Sequence, residues 1–293
     1  MNTIWNDIKS NFKTGNSFTK LLYINIAFFL SYKILSVFGF LFSINNIDYY
    51  IKNYLNLPTN TSIVIRKPWT IISYMFVHTE FLHILFNMIW LHFGSKLFLQ
   101  YFNGKQLVST YILGGITGGL FFIISYNIFP AFSREVVTAT ALGASASVLA
   151  IFVAIATYAP NVNIQFPFIG NIKIKHIAIA LVVLDFLSIS PENPGGHISH
   201  LGGALYGFIF IILLKKGTDL SVNFHNFISL FNFKKKPKLR KVHKKRKRTD
   251  DDHYRKEKAN RQKKINSILE KISKSGYDSL TKEEKELLFK ESK

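Results

Sequence analysis

Long apolar runs alternate with short polar stretches over the first 215 residues, and a polar, basic stretch follows them. A helix that crosses the hydrocarbon core of a bilayer needs ~20 apolar residues. The pattern predicts six such segments; the fourth and fifth are short by this measure and their assignment depends on their neighbours. The predicted segments are residues 20–43, 71–98, 107–128, 143–159, 174–190 and 197–215. We therefore expect an all-α integral membrane protein with six transmembrane helices.

The residues after 215 show three further patterns. NFHNFISLFNF (223–233) alternates Phe with polar residues, as interfacial helices do. KKKPKLRKVHKKRKR (234–248) is strongly basic, and residues 260–290 return to helical spacing, with Thr281 and Glu284 forming a capping-box pattern. The expected organisation is an N-terminal segment (1–19), a six-helix membrane domain (20–215), an interfacial and polybasic linker (216–259) and a small helical hairpin (260–293).

The distribution of positive charge predicts the orientation. With six spans and both termini on one side, 32 of the 37 Lys and Arg residues lie on that side or at its edge. The positive-inside rule then places both termini and the basic C-terminal tail in the cytoplasm. The first twenty residues lack the pattern of a removable signal peptide. We expect a multi-pass protein of a bacterial cell (inner) membrane.

The basic tail and the absence of Cys bear on partners and cofactors. A polybasic stretch just inside the last span is typical of binding to anionic lipids. The same charge would attract nucleic acid, but tethering at a membrane disfavours that partner. Without Cys, disulfides and thiolate metal sites are excluded. His78 and His83 are five residues apart, which does not fit the zinc-protease spacing, and no metal or cofactor is expected.

Three of the predicted segments run in the same direction, and each carries polar groups near its outer end. They are His83 and Asn87 in the second, Ser145 in the fourth, and His197 and His200 in the sixth. Polar side chains inside a membrane are costly and usually face the bundle interior or a wet cavity. We therefore expect one shared cavity at the outer ends of these segments.

Ser145 and His200 are the candidates for nucleophile and base. A serine needs a base within hydrogen-bond reach, and imidazole titrates near neutrality. Gly203 and Gly207 give the sixth segment a small-residue face, and the fourth segment is small at Gly143, so close packing would bring His200 to Ser145.

No acidic residue follows at an obvious third position, so the sequence predicts a dyad, with the imidazole oriented by packing. His83 and Asn87 share a helix face and could donate hydrogen bonds to an oxyanion. His197 is expected to line the mouth of the cavity. Ser147 is an alternative nucleophile, but it lies about 200° around the helix from Ser145 and is better explained by packing.

These residues resemble the rhomboid family of intramembrane serine proteases. The resemblance is carried by His83 and Asn87 in HILFNMIWLHFG, by Gly143-Ala144-Ser145, and by His200 with its two following glycines. KPWTIISYMFVH (67–78) is similar to the family's approach to the second segment, and the order of motifs matches over roughly residues 20–215. In one departure, Ala146 stands where the family often has Gly.

The resemblance implies a rhomboid-type bundle with Ser145 as nucleophile, His200 as general base, and an oxyanion site formed by His83, Asn87 and the Ser145 N–H. It implies cleavage of membrane-protein substrates near the outer face, without metal or nucleotide. Two alternatives stay open: a catalytically silent rhomboid-like protein that binds membrane helices, and a transporter that uses the buried histidines. The oligomeric state is not determined by the sequence.

Overall fold

In the described part of the chain, helices are joined by short loops and two small sheets. The computed structural model describes residues 2–44, 46–166, 170–190, 193–230 and 248–291. The helices are α1 (Asn2–Thr14), α2 (Ser17–Leu41), α3 (Ile47–Leu55), α4 (Thr61–Arg66), α5 (Thr70–Ser73), α6 (Phe81–Tyr101), α7 (Gly104–Ile128), α8 (Ser145–Tyr158), α9 (Ile174–Leu187), α10 (Pro194–Lys215), α11 (Leu220–Leu230), α12 (Arg248–Ser275) and α13 (Lys282–Glu291). The strands are β1 (Leu57–Pro58), β2 (Thr140–Ala141), β3 (Asn163–Phe166) and β4 (Gly170–Lys173). The chain divides into two compact units, Met1–Phe233 and Lys234–Lys293.

Among the described residues of the first unit, four helices are long and apolar enough to cross a membrane: α2, α6, α7 and α10. The fourth and fifth predicted segments form α8 and α9, of 14 residues each. At 1.5 Å per residue such a helix is about 21 Å long, short of the ~30 Å hydrocarbon core. The count of six crossings therefore stays a prediction.

Two short antiparallel sheets accompany the predicted helices in the described residues. β1 pairs antiparallel with β2, and β3 pairs antiparallel with β4. The β1–β2 pair has a structural consequence for the site, because it ties the chain ahead of α5 to the chain ahead of α8. Next to this sheet, the Gly143 N–H donates to the carbonyl of Tyr74 at 2.9 Å.

The boundaries of two predicted segments also differ. The second segment, 71–98, is broken: α5 and a 3₁₀ turn (Tyr74–Phe76) precede an irregular stretch, and the long helix α6 begins only at Phe81. The sixth begins three residues earlier than predicted, at Pro194, where proline suits a first helical position and the Asn193 side chain accepts from the Gly196 N–H.

The core of the first unit forms where α7 and α10 enclose α8. Eleven of the 14 residues of α8 are buried. A Cβ placed on Gly203 would lie 2.1 Å from the Ala146 carbonyl oxygen, and one on Gly207 would lie 2.2 Å from that of Ala150. Only a glycine face lets α10 approach the backbone of α8 so closely. This approach sets the separation of side chains at the N-terminal ends of the two helices.

The second unit contains α12, a 3₁₀ turn and α13. At the start of α13 the Thr281 N–H donates to Glu284 Oε2 at 2.8 Å and the Glu284 N–H donates to Thr281 Oγ1 at 3.3 Å, a reciprocal cap. Lys271 on α12 donates to the same carboxylate at 2.9 Å. The first helix begins at Arg248, twelve residues ahead of the predicted hairpin. The polybasic stretch 234–248 lies outside the described residues except for its last position.

Candidate active site

Ser145 is the first residue of α8, where the chain turns sharply into the helix. Gly143 has a φ of +112°, a conformation that L side chains rarely adopt. A Cβ at this position would also lie 2.9 Å from His83 Nε2 and 3.8 Å from Ser145 Oγ. The turn therefore requires glycine, and the imidazole of His83 and the hydroxyl of Ser145 flank the same point. The first N–H groups of α8 have no partner inside their helix and lie beside this point.

The structure brings Ser145 and His200 into direct contact. Ser145 Oγ lies 2.6 Å from His200 Nε2, and both side chains are half-buried. His200 lies on the first turns of α10, three residues before Gly203, so the close packing of α10 on α8 carries its ring to the start of α8. The pair has the geometry in which an imidazole can accept a serine proton.

A third residue, Asp185, orients His200, so the prediction that packing alone orients this imidazole is wrong. Asp185 Oδ1 lies 2.8 Å from His200 Nδ1. The acidic residue belongs to the last turn of α9 and so precedes the histidine in the chain instead of following it. The sequence does contain a signal for Asp185, because an ionisable residue within a predicted transmembrane segment indicates a functional site by default. Sequence spacing alone does not show which helix faces it.

His197 contacts the same carboxylate instead of lining the large cavity. Its Nδ1 lies 2.9 Å from Asp185 Oδ1. One oxygen thus accepts hydrogen bonds from two imidazoles that lie three residues apart on one face of α10. One donor atom from each of Asp185, His197 and His200 lies within 4.8 Å of the other two, so these residues could hold a metal ion.

His83 and Asn87, the predicted oxyanion donors, both line the cavity above Ser145. The Asn87 amide donates one hydrogen bond to the His83 carbonyl at 3.0 Å, back along α6. A side-chain amide carries two N–H groups, so the second can be directed into the cavity. The two residues and Ser145 are therefore brought to one site from α6 and α8.

His78 is a residue whose contribution sequence reasoning missed. Its ring is fully buried and lies 5.0 Å from the His83 ring, centroid to centroid. His78 Nε2 accepts from the Ala144 N–H at 3.3 Å, while Nδ1 lies 3.3 Å from the Phe76 carbonyl oxygen. The imidazole thereby links the irregular stretch before α6 to the turn before Ser145. The sequence pattern does not predict this link, because the link depends on the β1–β2 pairing and on the break in the second segment.

Ser147, the alternative nucleophile, is fully buried and lies on a different face of α8. Its hydroxyl is 3.9 Å from Met75 Sδ and stands against Gly115 of α7. It has the surroundings of a packing serine.

The catalytic candidates border a cavity of about 710 Å³ at one end of the helices. His83, Asn87, Gly143, Ser145 and His200 all lie along its wall. A smaller cavity of about 200 Å³ adjoins the same serine and histidine and is lined mainly by apolar side chains of α6, α8 and α9. The larger space can hold both water and an extended backbone, which a hydrolytic site requires.

Comparison with known proteins identifies the fold family. Residues 66–217, just over half of the chain, match the family described as the Rhomboid domain. The chain belongs to the rhomboid family. The matched region contains all the residues of the site described above, and rhomboids are generally serine intramembrane proteases. Together with its apolar helices, the family makes this rhomboid a multi-pass membrane protein.

Two other similarities are more limited. RHOMBOID-like protein 12, mitochondrial, of Arabidopsis thaliana is 28% identical over 157 residues, which cover 50% of this rhomboid and 47% of the relative. The match thus spans about half the length of that protein. Residues 248–293, which include α12 and α13, match a family of unknown function (DUF6576).

Proposed function

We propose that this rhomboid is an intramembrane serine endopeptidase that cleaves membrane-spanning substrates near the outer face of the membrane. The observation that carries the proposal is the 2.6 Å contact between Ser145 Oγ and His200 Nε2 at the wall of a 710 Å³ cavity. A half-buried hydroxyl in contact with an imidazole is the arrangement that activates a serine.

In the proposed reaction Ser145 Oγ attacks the carbonyl carbon of the scissile peptide while its proton passes to His200 Nε2. The new C–O bond forms as the carbonyl π electrons move to oxygen. The resulting oxyanion accepts hydrogen bonds from His83, from the second N–H of Asn87 and from the N–H of Ser145. The C–N bond then breaks and His200 returns the proton to the leaving amine. A water molecule deprotonated by His200 hydrolyses the acyl-enzyme in the reverse sequence.

Asp185 is a positioning residue in this scheme. A carboxylate can only accept hydrogen bonds, so its contact fixes the proton of His200 on Nδ1 and leaves Nε2 free to accept from Ser145. It also stabilises the imidazolium that forms as the serine attacks. The proposed site is therefore a Ser–His pair supported by a carboxylate.

The distribution of charge supports the proposed orientation. We place the protein in the cell (inner) membrane with both termini in the cytoplasm, because the basic residues concentrate on that side. In this orientation the N-terminal ends of α6, α8 and α10 face outward, and the cavity opens to the external side. The polybasic stretch 234–248 then lies where it would bind anionic lipids, and nucleic acid is not an expected partner.

Cleavage of a single-span model substrate by the purified protein in detergent tests the proposal. The wild type should cut it, and Ser145→Ala and His200→Ala should not. Ser147→Ala is the matched control, because that serine lies two residues away on the same helix and should be dispensable for chemistry. Equal cutting by all four proteins, or loss only in Ser147→Ala, would contradict the assignment. Tight binding of the substrate without any cutting by the wild type would favour a silent rhomboid-like binder.

A further inference from the structure

The contact between His197 and Asp185 has no part in the proposed reaction. The hydrogen bond from His200 is enough to fix the tautomer of the base, yet a second imidazole lies 2.9 Å from the same oxygen. Two ring nitrogens from α10 and one carboxylate oxygen from α9 thus converge on one point. The side chains of Asp185, His197 and His200 are 14%, 26% and 24% exposed, so water and small ions can reach them.

Two imidazoles and one carboxylate, with a fourth position open to water, form a ligand set that zinc uses in proteins. Zinc bonds of ~2.0–2.2 Å place tetrahedral ligand atoms about 3.3 Å apart. The ring nitrogens lie 2.8 and 2.9 Å from the carboxylate oxygen, and all three ligand atoms lie within 4.8 Å of one another, so side-chain rotations would bring them to the spacing that admits the ion. We propose that Asp185, His197 and His200 form a zinc site whose occupation switches off the catalytic base.

The inhibition follows from the tautomers of imidazole and depends on the proposed function. A zinc ion on His200 Nδ1 displaces the proton of that nitrogen into water. The coordinated neutral ring then carries its remaining proton on Nε2, which becomes a donor. Nε2 can no longer accept the proton of Ser145, so the hydroxyl stays protonated. The ion leaves the large cavity and the oxyanion donors in place, and its removal restores the Nδ1–H form.

Zinc titration of cleavage provides the activity test. We expect wild-type cleavage to fall reversibly with added Zn²⁺ and to recover with EDTA. His197→Ala removes one ligand outside the proposed reaction and should raise the zinc concentration for half-inhibition by at least about tenfold. Each variant is compared with its own rate without zinc. His176→Ala is the matched control, because His176 lies on α9 about 14 Å along the helix from Asp185 and should leave the inhibition unchanged.

Direct binding supplies a readout that does not require activity. Ser145→Ala, freed of any affinity tag, should bind one zinc per chain by calorimetry in detergent, because the serine is not a ligand. Ser145→Ala/His197→Ala should bind at least about tenfold more weakly. Co²⁺ in place of zinc should give the visible absorption of a four-coordinate site in the first protein and lose it in the second.

The outcomes separate this inference from the proposed function. A wild type that cleaves and is indifferent to zinc, or a His197→Ala variant inhibited as strongly as wild type, overturns the metal site and leaves the protease. Zinc binding by Ser145→Ala that depends on His197, in a protein whose wild type cuts nothing, supports the metal site and overturns the protease.

Discussion

Replacing Asp185 with Asn tests how much of the base's efficiency depends on its carboxylate partner. The side chain keeps its size but loses its charge and gains N–H donors. If the Asn amide donates to His200 Nδ1, the imidazole carries its proton on Nε2 and cannot accept from Ser145. If the Asn oxygen accepts instead, the correct tautomer survives but the imidazolium loses its counter-charge.

The magnitude follows from the contact. A hydrogen bond to a charged group contributes about 1.5–3 kcal/mol, and ~1.4 kcal/mol corresponds to tenfold in rate. Asp185 Oδ1 is shared between two imidazoles, and its side chain is only 14% exposed. We therefore expect kcat to fall about 10- to 100-fold, with KM little changed because the interaction strengthens only as His200 gains its proton. Asp185→Glu, which keeps the carboxylate, should recover part of the loss.

The assay is single-span substrate cleavage in detergent, normalised by titrating reactive serines with a fluorophosphonate. The normalisation separates a slower site from a smaller folded fraction. An Asp185→Asn variant with wild-type kcat per reactive serine would refute the positioning role. The same conclusion would follow if its activity fell only in proportion to the fraction of folded protein, or if Asp185→Glu were no better than Asp185→Asn.

Three further predictions concern the oxyanion donors, the helix packing and the second unit. Asn87→Ala should lower kcat by about 10²–10³-fold at similar KM, and wild-type kinetics in this variant would remove Asn87 from the oxyanion site. Gly203→Ala would place a methyl group 2.1 Å from the Ala146 carbonyl oxygen, so it should destabilise the fold by about 1–3 kcal/mol and slow cleavage. The control Leu205→Ala, on the exposed side of α10, should do neither. Thermal unfolding in detergent that ranks the two variants the other way would contradict the packing. Hydrogen bonds from the Thr281 N–H and from Lys271 lower the pKa of Glu284 below its usual 4.5. Its contribution to the α13 cap is therefore present above that value and is lost as pH falls through the lower folded value. Protection factors of the α13 amides in the full chain, which correct for the intrinsic exchange rate at each pH, should fall there, and a Glu284→Gln variant that is equally protected at neutral pH would contradict the prediction.

The long helices could be predicted from the sequence because apolar runs are a local pattern, and the candidate residues stay a prediction that the contact between Ser145 and His200 supports. Long apolar runs mark α2, α6, α7 and α10, and small residues mark the faces of α8 and α10 that pack together. Motif order favours Ser145 over Ser147, which the structure buries against Met75. The sequence could not place residues whose role depends on a neighbour from another element.

Asp185 and His78 are the clearest examples of that limit. Asp185 is a charge inside the fifth predicted segment, but the histidine that it orients lies on the next helix, and sequence spacing does not show that the two side chains meet. His78 was considered only as a metal ligand, because its contact with the Ala144 N–H depends on an irregular stretch that apolar periodicity does not reveal. The small sheets were missed for the same reason, since strands of two to four residues leave almost no periodic signal.

The most direct test of the central claim is to locate the serine that a fluorophosphonate modifies in the purified protein. Mass spectrometry of the wild type should find the label on Ser145 alone, and His200→Ala should react far more slowly because its hydroxyl lacks a base. A label on Ser147, or labelling of His200→Ala at the wild-type rate, would contradict the account.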